Sequence, residues 1–214
     1  MKLDLILDTS RKGVALGIYR GEKVLCEIFN PDCRGENLGQ IFDESLERIG
    51  ASAEEIGRVL VTLGPGSFTG LRTGIAFCEG LCLSGERALY GVSTLRALLS
   101  LSADSHAASI LFARNGFLYV GTSAGEWFLP VEEAFRHLDS LGIRSFVIDR
   151  RVVEDPASRE FFNREGVSFV IAEGNEIAPF RRFFEEILPS PIQRANYIQP
   201  SYYERRGAMG VVRQ

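Results

Sequence analysis

The sequence predicts an α/β protein with a mixed sheet in each half. Three observations carry that expectation. Strand-like apolar runs separated by turn-sized gaps open the chain. From about Glu36 the apolar spacing becomes helical, and helices then alternate with short β-rich runs. A small, polar stretch, Ser102-Ala-Asp-Ser-His-Ala107, interrupts the pattern near the middle, after which the alternation resumes. The expected domains are therefore residues 1–102 and residues 103–214.

Leu3 to Asp8 reads as the first strand. Gly13 to Tyr19 and Lys23 to Phe29 follow, separated by Arg20-Gly21-Glu22, which suggests an antiparallel meander. Leu38, Ile41, Phe42, Leu46 and Ile49 recur at helical spacing, and Gly50 closes that helix. Arg58 to Leu63 is a buried strand. Gly64-Pro-Gly-Ser-Phe-Thr-Gly70 turns it into a second helix ending near Ser84-Gly85. Ala88 to Val92 is a short strand, and Ser93 caps a third helix reaching about Leu101. Beyond the polar stretch, Asn115-Gly116 joins strands Ser109–Ala113 and Phe117–Thr122 as a hairpin. Then come a helix over Val131–Leu138, a strand over Arg144–Ile148, a helix over Pro156–Arg164, a strand over Ser168–Ile171 and a helix over Ile177–Ile187.

Composition narrows the function classes. In 214 residues, 24 Lys and Arg face 28 Asp and Glu, a net charge of −4, so the chain as a whole gains no electrostatic attraction to nucleic acid. No apolar run approaches the roughly 20 residues that span a bilayer. The start, Met1 to Asp8, is too short and acidic for a signal peptide. Four cysteines, none in a C-x-x-C pair, fit a reducing compartment. A cytoplasmic protein is expected.

Gly64-Pro-Gly-Ser-Phe-Thr-Gly-Leu-Arg-Thr-Gly74 is the most conspicuous segment. A glycine-rich turn before a helix can offer backbone N–H groups to an anion. It nevertheless lacks both the Gly-Lys of a P-loop and the Gly-x-Gly-x-x-Gly of a dinucleotide turn. In the following helix Leu71, Ile75, Cys78 and Cys82 form one apolar stripe. Gly70, Gly74, Phe77 and Leu81 form a second, about a quarter turn away at ~100° per residue. Each helical glycine costs about 1 kcal/mol relative to Ala, so a close neighbour should compensate. Spacing leaves two neighbours open: the chain's own Leu38–Ile49 helix, or another chain.

Asp8-Thr9-Ser10 can position a hydrated metal and a phosphate, and short polar residues also simply make good turns. His106 and His137 stand outside any ligand spacing, and buried thiols account for Cys26, Cys33, Cys78 and Cys82. No Gly-x-Ser-x-Gly elbow exists. Near the end, Arg194, Arg205, Arg206 and Arg213 stand against Glu204 among Tyr197, Tyr202 and Tyr203, a mixture able to meet RNA or a partner.

Leu7-Asp8-Thr9-Ser10, the block Gly64 to Ala76, Tyr90-Gly-Val-Ser93 and Gln199-Pro-Ser-Tyr-Tyr203 together resemble the TsaB (YeaZ) family, in order and separation over nearly the whole chain. The resemblance implies an actin/Hsp70/sugar-kinase type of fold, two α/β domains with the second reduced. It implies a non-catalytic subunit that pairs with TsaD and helps recruit the TsaE ATPase, making threonylcarbamoyladenosine at position 37 of tRNAs that read codons beginning with A. It also implies a homodimer when the chain is alone, tRNA met only indirectly through the complex, no membrane association and no cofactor. The alternative is a small ATP-binding kinase or ATPase of the same fold, using Asp8 and Ser10.

By position, the resemblance puts the partner interface on the first two helices. On the first it implies Leu38, Ile41, Phe42 and Ser45; on the second, Gly70, Thr73, Gly74, Phe77 and Leu81. Asp8, Thr9 and Ser10 would be a vestigial phosphate turn. The first helix lacks the His-x-x-x-His metal pair of TsaD-type enzymes. Two positions depart from the family pattern: Gly35-Glu36 where His-Ser is usual, and Phe112 where an Asp usually precedes Ala-Arg.

Overall fold

A computed structural model of the chain describes residues 2–33, 35–114 and 116–198. Gln199 to Tyr203 of the family-like blocks, and Glu204, Arg205, Arg206 and Arg213 of the Arg/Tyr segment, lie outside the described residues, as does Asn115 of the hairpin turn.

The first sheet is built from β1 (Leu3–Asp8), β2 (Val14–Arg20), β3 (Lys23–Asn30), β4 (Ile56–Thr62) and β5 (Ala88–Val92), in the order β3-β2-β1-β4-β5. The meander β1-β2-β3 is antiparallel, and β4 and β5 run parallel to β1. The second sheet repeats this plan with β6 (Ala108–Phe112), β7 (Phe117–Thr122), β8 (Gly125–Pro130), β9 (Ser145–Asp149) and β10 (Ser168–Ala172), in the order β10-β9-β6-β7-β8. Again three antiparallel strands are extended by two parallel ones. Two mixed sheets of one plan, with helices, are the expected actin/sugar-kinase type of architecture.

Every residue of β1 is buried, because both faces of the first sheet are covered. On one face, Leu3, Leu5, Leu7, Leu16 and Ile18 pack under α1 (Leu38–Ile49) and α2 (Phe68–Cys82). Gly50 ends α1 in the left-handed region at φ 63°, where a side chain would be strained. Ser67 caps α2 by accepting from Gly70 N, and Ser93 caps α3 (Thr94–Leu99) by accepting from Arg96 N. Helix α3 lies between the sheets. Its Ala97 joins the core of the first, while Leu95 and Leu98 meet Leu111, Tyr119 and Val147 of the second. The outer face of the second sheet is covered by α4 (Val131–Ser140), α5 (Arg150–Glu154) and α6 (Pro156–Phe162), with Phe135 and Phe161 stacked at 4.1 Å.

Three expectations need correction. Strand β8 has no counterpart in the sequence reading, since Trp127-Phe128-Leu129 breaks the alternation and Pro130 ends it; the strand is a half-buried edge. The helix expected over 177–187 is a 3₁₀ turn, Ala178–Arg182, followed by one α-turn, α7 (Phe183–Glu186). That segment also leaves the second half. Phe180, Phe183 and Phe184 are buried with Ile6, Leu60 and Tyr90, covering the face of the first sheet opposite α1 and α2. Each buried ring contributes about 1.5–3 kcal/mol, enough to hold a segment with little regular hydrogen bonding. Residues 177–187 therefore pack on the first sheet, whereas the sequence reading assigned them to the 103–214 unit. Among the described residues no helix is long and apolar enough to cross a membrane.

Candidate functional site

The turn after β1 is where the sequence singled out a carboxylate beside two hydroxyls, and the structure buries all three residues. Asp8 is 3% exposed, and both of its oxygens are occupied. Oδ1 accepts from Ser10 N at 2.9 Å, Ser10 Oγ at 2.6 Å and Thr62 Oγ1 at 2.8 Å. Oδ2 accepts from Arg11 Nε and Nη2, each at 3.0 Å. Burial alone would raise the Asp8 pKa, but the Arg11 charge and the Ser10 and Thr62 donors outweigh it and hold the carboxyl below its usual range. All five of these contacts to the Asp8 carboxylate come from the chain's own donors.

Helix α2 sits directly on this turn. Ser67 N donates to Ser10 O at 2.7 Å. A Cβ on Gly66 would lie 2.0 Å from Ser10 O, one on Gly70 2.1 Å from Thr9 O, and one on Gly74 2.2 Å from Thr9 Oγ1. Three glycines at four-residue spacing let the helix close over the turn. The neighbour that explains Gly70 and Gly74 is therefore the chain's own Thr9, which corrects their assignment to a partner surface.

The other implied interface residues are largely internal as well. Leu38, Ile41, Phe42 and Ser45 are buried, the first three in the core shared with β1 and β4, and the Ser45 hydroxyl donates to Ile41 O at 2.6 Å. Phe77 and Leu81 are half-buried against the same core, with Phe77 edge-on to Phe42 at 5.5 Å. Thr73 is half-buried; its hydroxyl donates to Thr69 O, and its methyl closes on Gly35, where a Cβ would lie 2.9 Å away. The surface these helices do present is Gly39, Gln40, Asp43, Glu44, Glu47 and Arg48 of α1, and Phe68, Thr69, Arg72, Ala76 and Gly80 of α2. Apolar periodicity marks the inward side and left the neighbour open; the resemblance was what assigned these residues to a partner. Gly80 is exposed, with nothing within 4 Å of an added Cβ.

Between the turn and the β6–β7 hairpin lies a cleft of about 700 Å³. Arg11, Lys12, Ser67, Thr69, Arg114 and Arg151 are among its lining residues. On the hairpin side the carboxylate comes from β9. Asp149 caps α5 and accepts from Phe112 N at 3.1 Å and Arg151 Nη2 at 3.0 Å. Burial raises the Asp149 pKa, and Arg151 offsets this only in part. Phe112, at the unusual position, lies under the Arg151 guanidinium at 5.7 Å. Among the described residues no three His, Cys, Asp or Glu side chains gather as a metal site. All four cysteines are free and buried, and burial pushes the Cys78 and Cys82 thiols up.

Comparison with known proteins fits this geometry. The tRNA threonylcarbamoyladenosine biosynthesis protein TsaB of Haemophilus influenzae is 28% identical over 110 residues, covering 51% of this chain and 47% of that protein. Its namesake from Escherichia coli is 30% identical over 95 residues, covering 44% and 41%. The chain is thus similar to the TsaB (YeaZ) family. In these alignments it spans about half the length of its curated TsaB relatives. Residues 34–135 also match the family described as TsaD: tRNA N6-adenosine threonylcarbamoyltransferase. The fold is that of an uncharacterized Pseudomonas aeruginosa protein with similarity to peptidase YEAZ, at TM-score 0.74 and 17% identity, covering 93% of this chain and 100% of that one.

Proposed function

We propose that this chain is a non-catalytic subunit of the bacterial complex that makes N6-threonylcarbamoyladenosine at position 37 of tRNAs reading codons beginning with A. In this reading it works in the cytoplasm, pairs with a TsaD-like subunit through the outer face of α1 and the Ala76 to Gly80 end of α2, forms a homodimer when alone, and helps recruit a TsaE-like ATPase. The names of its relatives and the TsaD-type match over residues 34–135 support the pathway. The single observation that carries the non-catalytic role is Asp8: its carboxylate is engaged by Ser10, Arg11 and Thr62 under a helix seated on Thr9 and Ser10. A kinase or ATPase of this fold needs that carboxylate free for magnesium-nucleotide.

The interface follows from exposure. Ala76 and Gly80 are small and exposed on α2, letting a partner backbone approach, while Asp43, Glu44 and Glu47 offer charge on α1. The test is Gly80→Arg. The open space at Gly80 accepts a side chain without disturbing the isolated chain, so folding should persist while co-purification with the TsaD-like subunit is lost. Undiminished pairing would refute the assignment. Calorimetry with ATP and magnesium on the isolated chain tests the alternative, which requires binding and turnover.

A further inference from the structure

One exposed cluster is left over by this reading. At the start of α2, Phe68 is 54% exposed and Tyr197 is 41% exposed. Their rings lie 5.4 Å apart and tilted by 33°. The Arg72 guanidinium sits 4.0 Å over the Phe68 ring, and its Nε donates to Tyr197 Oη at 3.4 Å. Tyr197 is held in place by the strap that precedes it. Ser190 N donates to Leu89 O, Gln193 N to Glu79 Oε1 at 2.9 Å, and Asn196 N to Leu63 O at 2.7 Å, while Asn196 Nδ2 donates to Glu126 Oε2 at 2.9 Å. The aromatic pair is thus ordered before any ligand arrives.

The charges around it are uncommitted. Arg20, Arg58, Arg96, Arg144, Arg150, Arg164 and Arg182 on the same chain all hold carboxylates. Arg72 and Arg194 are exposed and form no ion pair among the described residues. The nearby Glu79 is taken by the Gln193 amide. Ordered aromatic faces beside unpaired guanidiniums fit ligands that carry planar bases on a phosphate backbone.

We infer that Phe68, Arg72 and Tyr197 form a direct contact surface for unpaired bases of an RNA loop, with the rings stacking and the arginine meeting phosphate. This rests on the reading of the chain as a subunit of a tRNA-modifying complex, and it adds to it, because that reading alone has RNA met only through the partner.

The experiment measures fluorescence anisotropy of a labelled anticodon stem-loop RNA with the paired complex, across a salt series, and scores pairing separately by gel filtration. Phe68→Ala and Tyr197→Ala should each weaken RNA binding at least fivefold, the lower end of the roughly 5- to 150-fold that one stacked base is worth, with pairing intact. Arg72→Gln should reduce the salt slope by about 0.7, the loss of one single-strand phosphate contact. The inference is overturned if these variants leave RNA affinity within twofold of wild type, if wild type binds no stem-loop, or if Phe68→Ala abolishes pairing instead, which would give the surface to the protein partner. Should the wild-type chain fail to pair at all, the proposed function fails on its own, and the isolated chain is scored for RNA by the same criteria.

Discussion

Helix α2 offers two glycines whose replacement by alanine should move stability in opposite directions. At Gly70 an added Cβ would lie 2.1 Å from the Thr9 carbonyl oxygen, well inside contact distance. A backbone carbonyl cannot rotate aside as a side chain can, so the helix must lift off the turn or the turn must shift. Overpacking of this kind costs about 1–3 kcal/mol, and the helix-propensity gain of at most about 1 kcal/mol offsets little of it near a helix start. At Gly80 the same methyl meets nothing within 4 Å, leaving only the gain of about 1 kcal/mol. With about 2–4 °C per kcal/mol for a chain of this size, Gly70→Ala should lower the Tm by several degrees and Gly80→Ala should raise it by about 2–4 °C. Scanning calorimetry or a thermal CD melt reads both. If Gly70→Ala melts at or above wild type, the tight seat of α2 on Thr9 is wrong, and with it the explanation of the glycine spacing.

Asp8→Asn leaves Arg11 buried without its full charge partner and should cost about 3–5 kcal/mol in urea unfolding at neutral pH. Because the folded Asp8 pKa lies below the unfolded value of about 3.9, its contribution is complete at neutral pH and drains away as acid lowers the pH through the unfolded and then the folded pKa. The acid limb of the stability profile should therefore be flatter in Asp8→Asn than in wild type; an unchanged limb would mean that Asp8 is not the titrating group. Glu126 accepts from Ser93 Oγ at the start of α3 and from Asn196 Nδ2 in the strap, so one carboxylate ties β8 to both. Glu126→Ala should raise amide exchange across residues 193–198 by at least about tenfold by mass spectrometry, with α1 unaffected, and equal protection would show that the strap is held by its backbone bonds alone.

Much of this architecture was legible in the residues because it rests on local chemistry. Leu38, Ile41, Phe42 and Leu46 mark the inner face of α1, Gly50 ends it in a left-handed turn, and Ser93 caps α3. What escaped depends on contacts far apart in sequence. Helix periodicity says which residues avoid water, and cannot say whether they avoid it inside their own chain or inside a complex. Leu38, Ile41, Phe42 and Ser45 look the same on a helical wheel in either case, and here they are buried by the chain itself. The glycine stripe was ambiguous for the same reason. A helical glycine signals a close neighbour, and only the register of α2 over the β1 turn shows that the neighbour is Thr9. The displacement has a functional consequence. Once Gly70, Gly74 and the α1 apolar stripe are committed inward, the chain's outward offer on these helices is polar, small and aromatic, extending from Gly80 to Phe68. Such a face gains little from apolar burial alone, so a partner docking there would have to be recognised by shape and charge, the reading that Gly80→Arg tests.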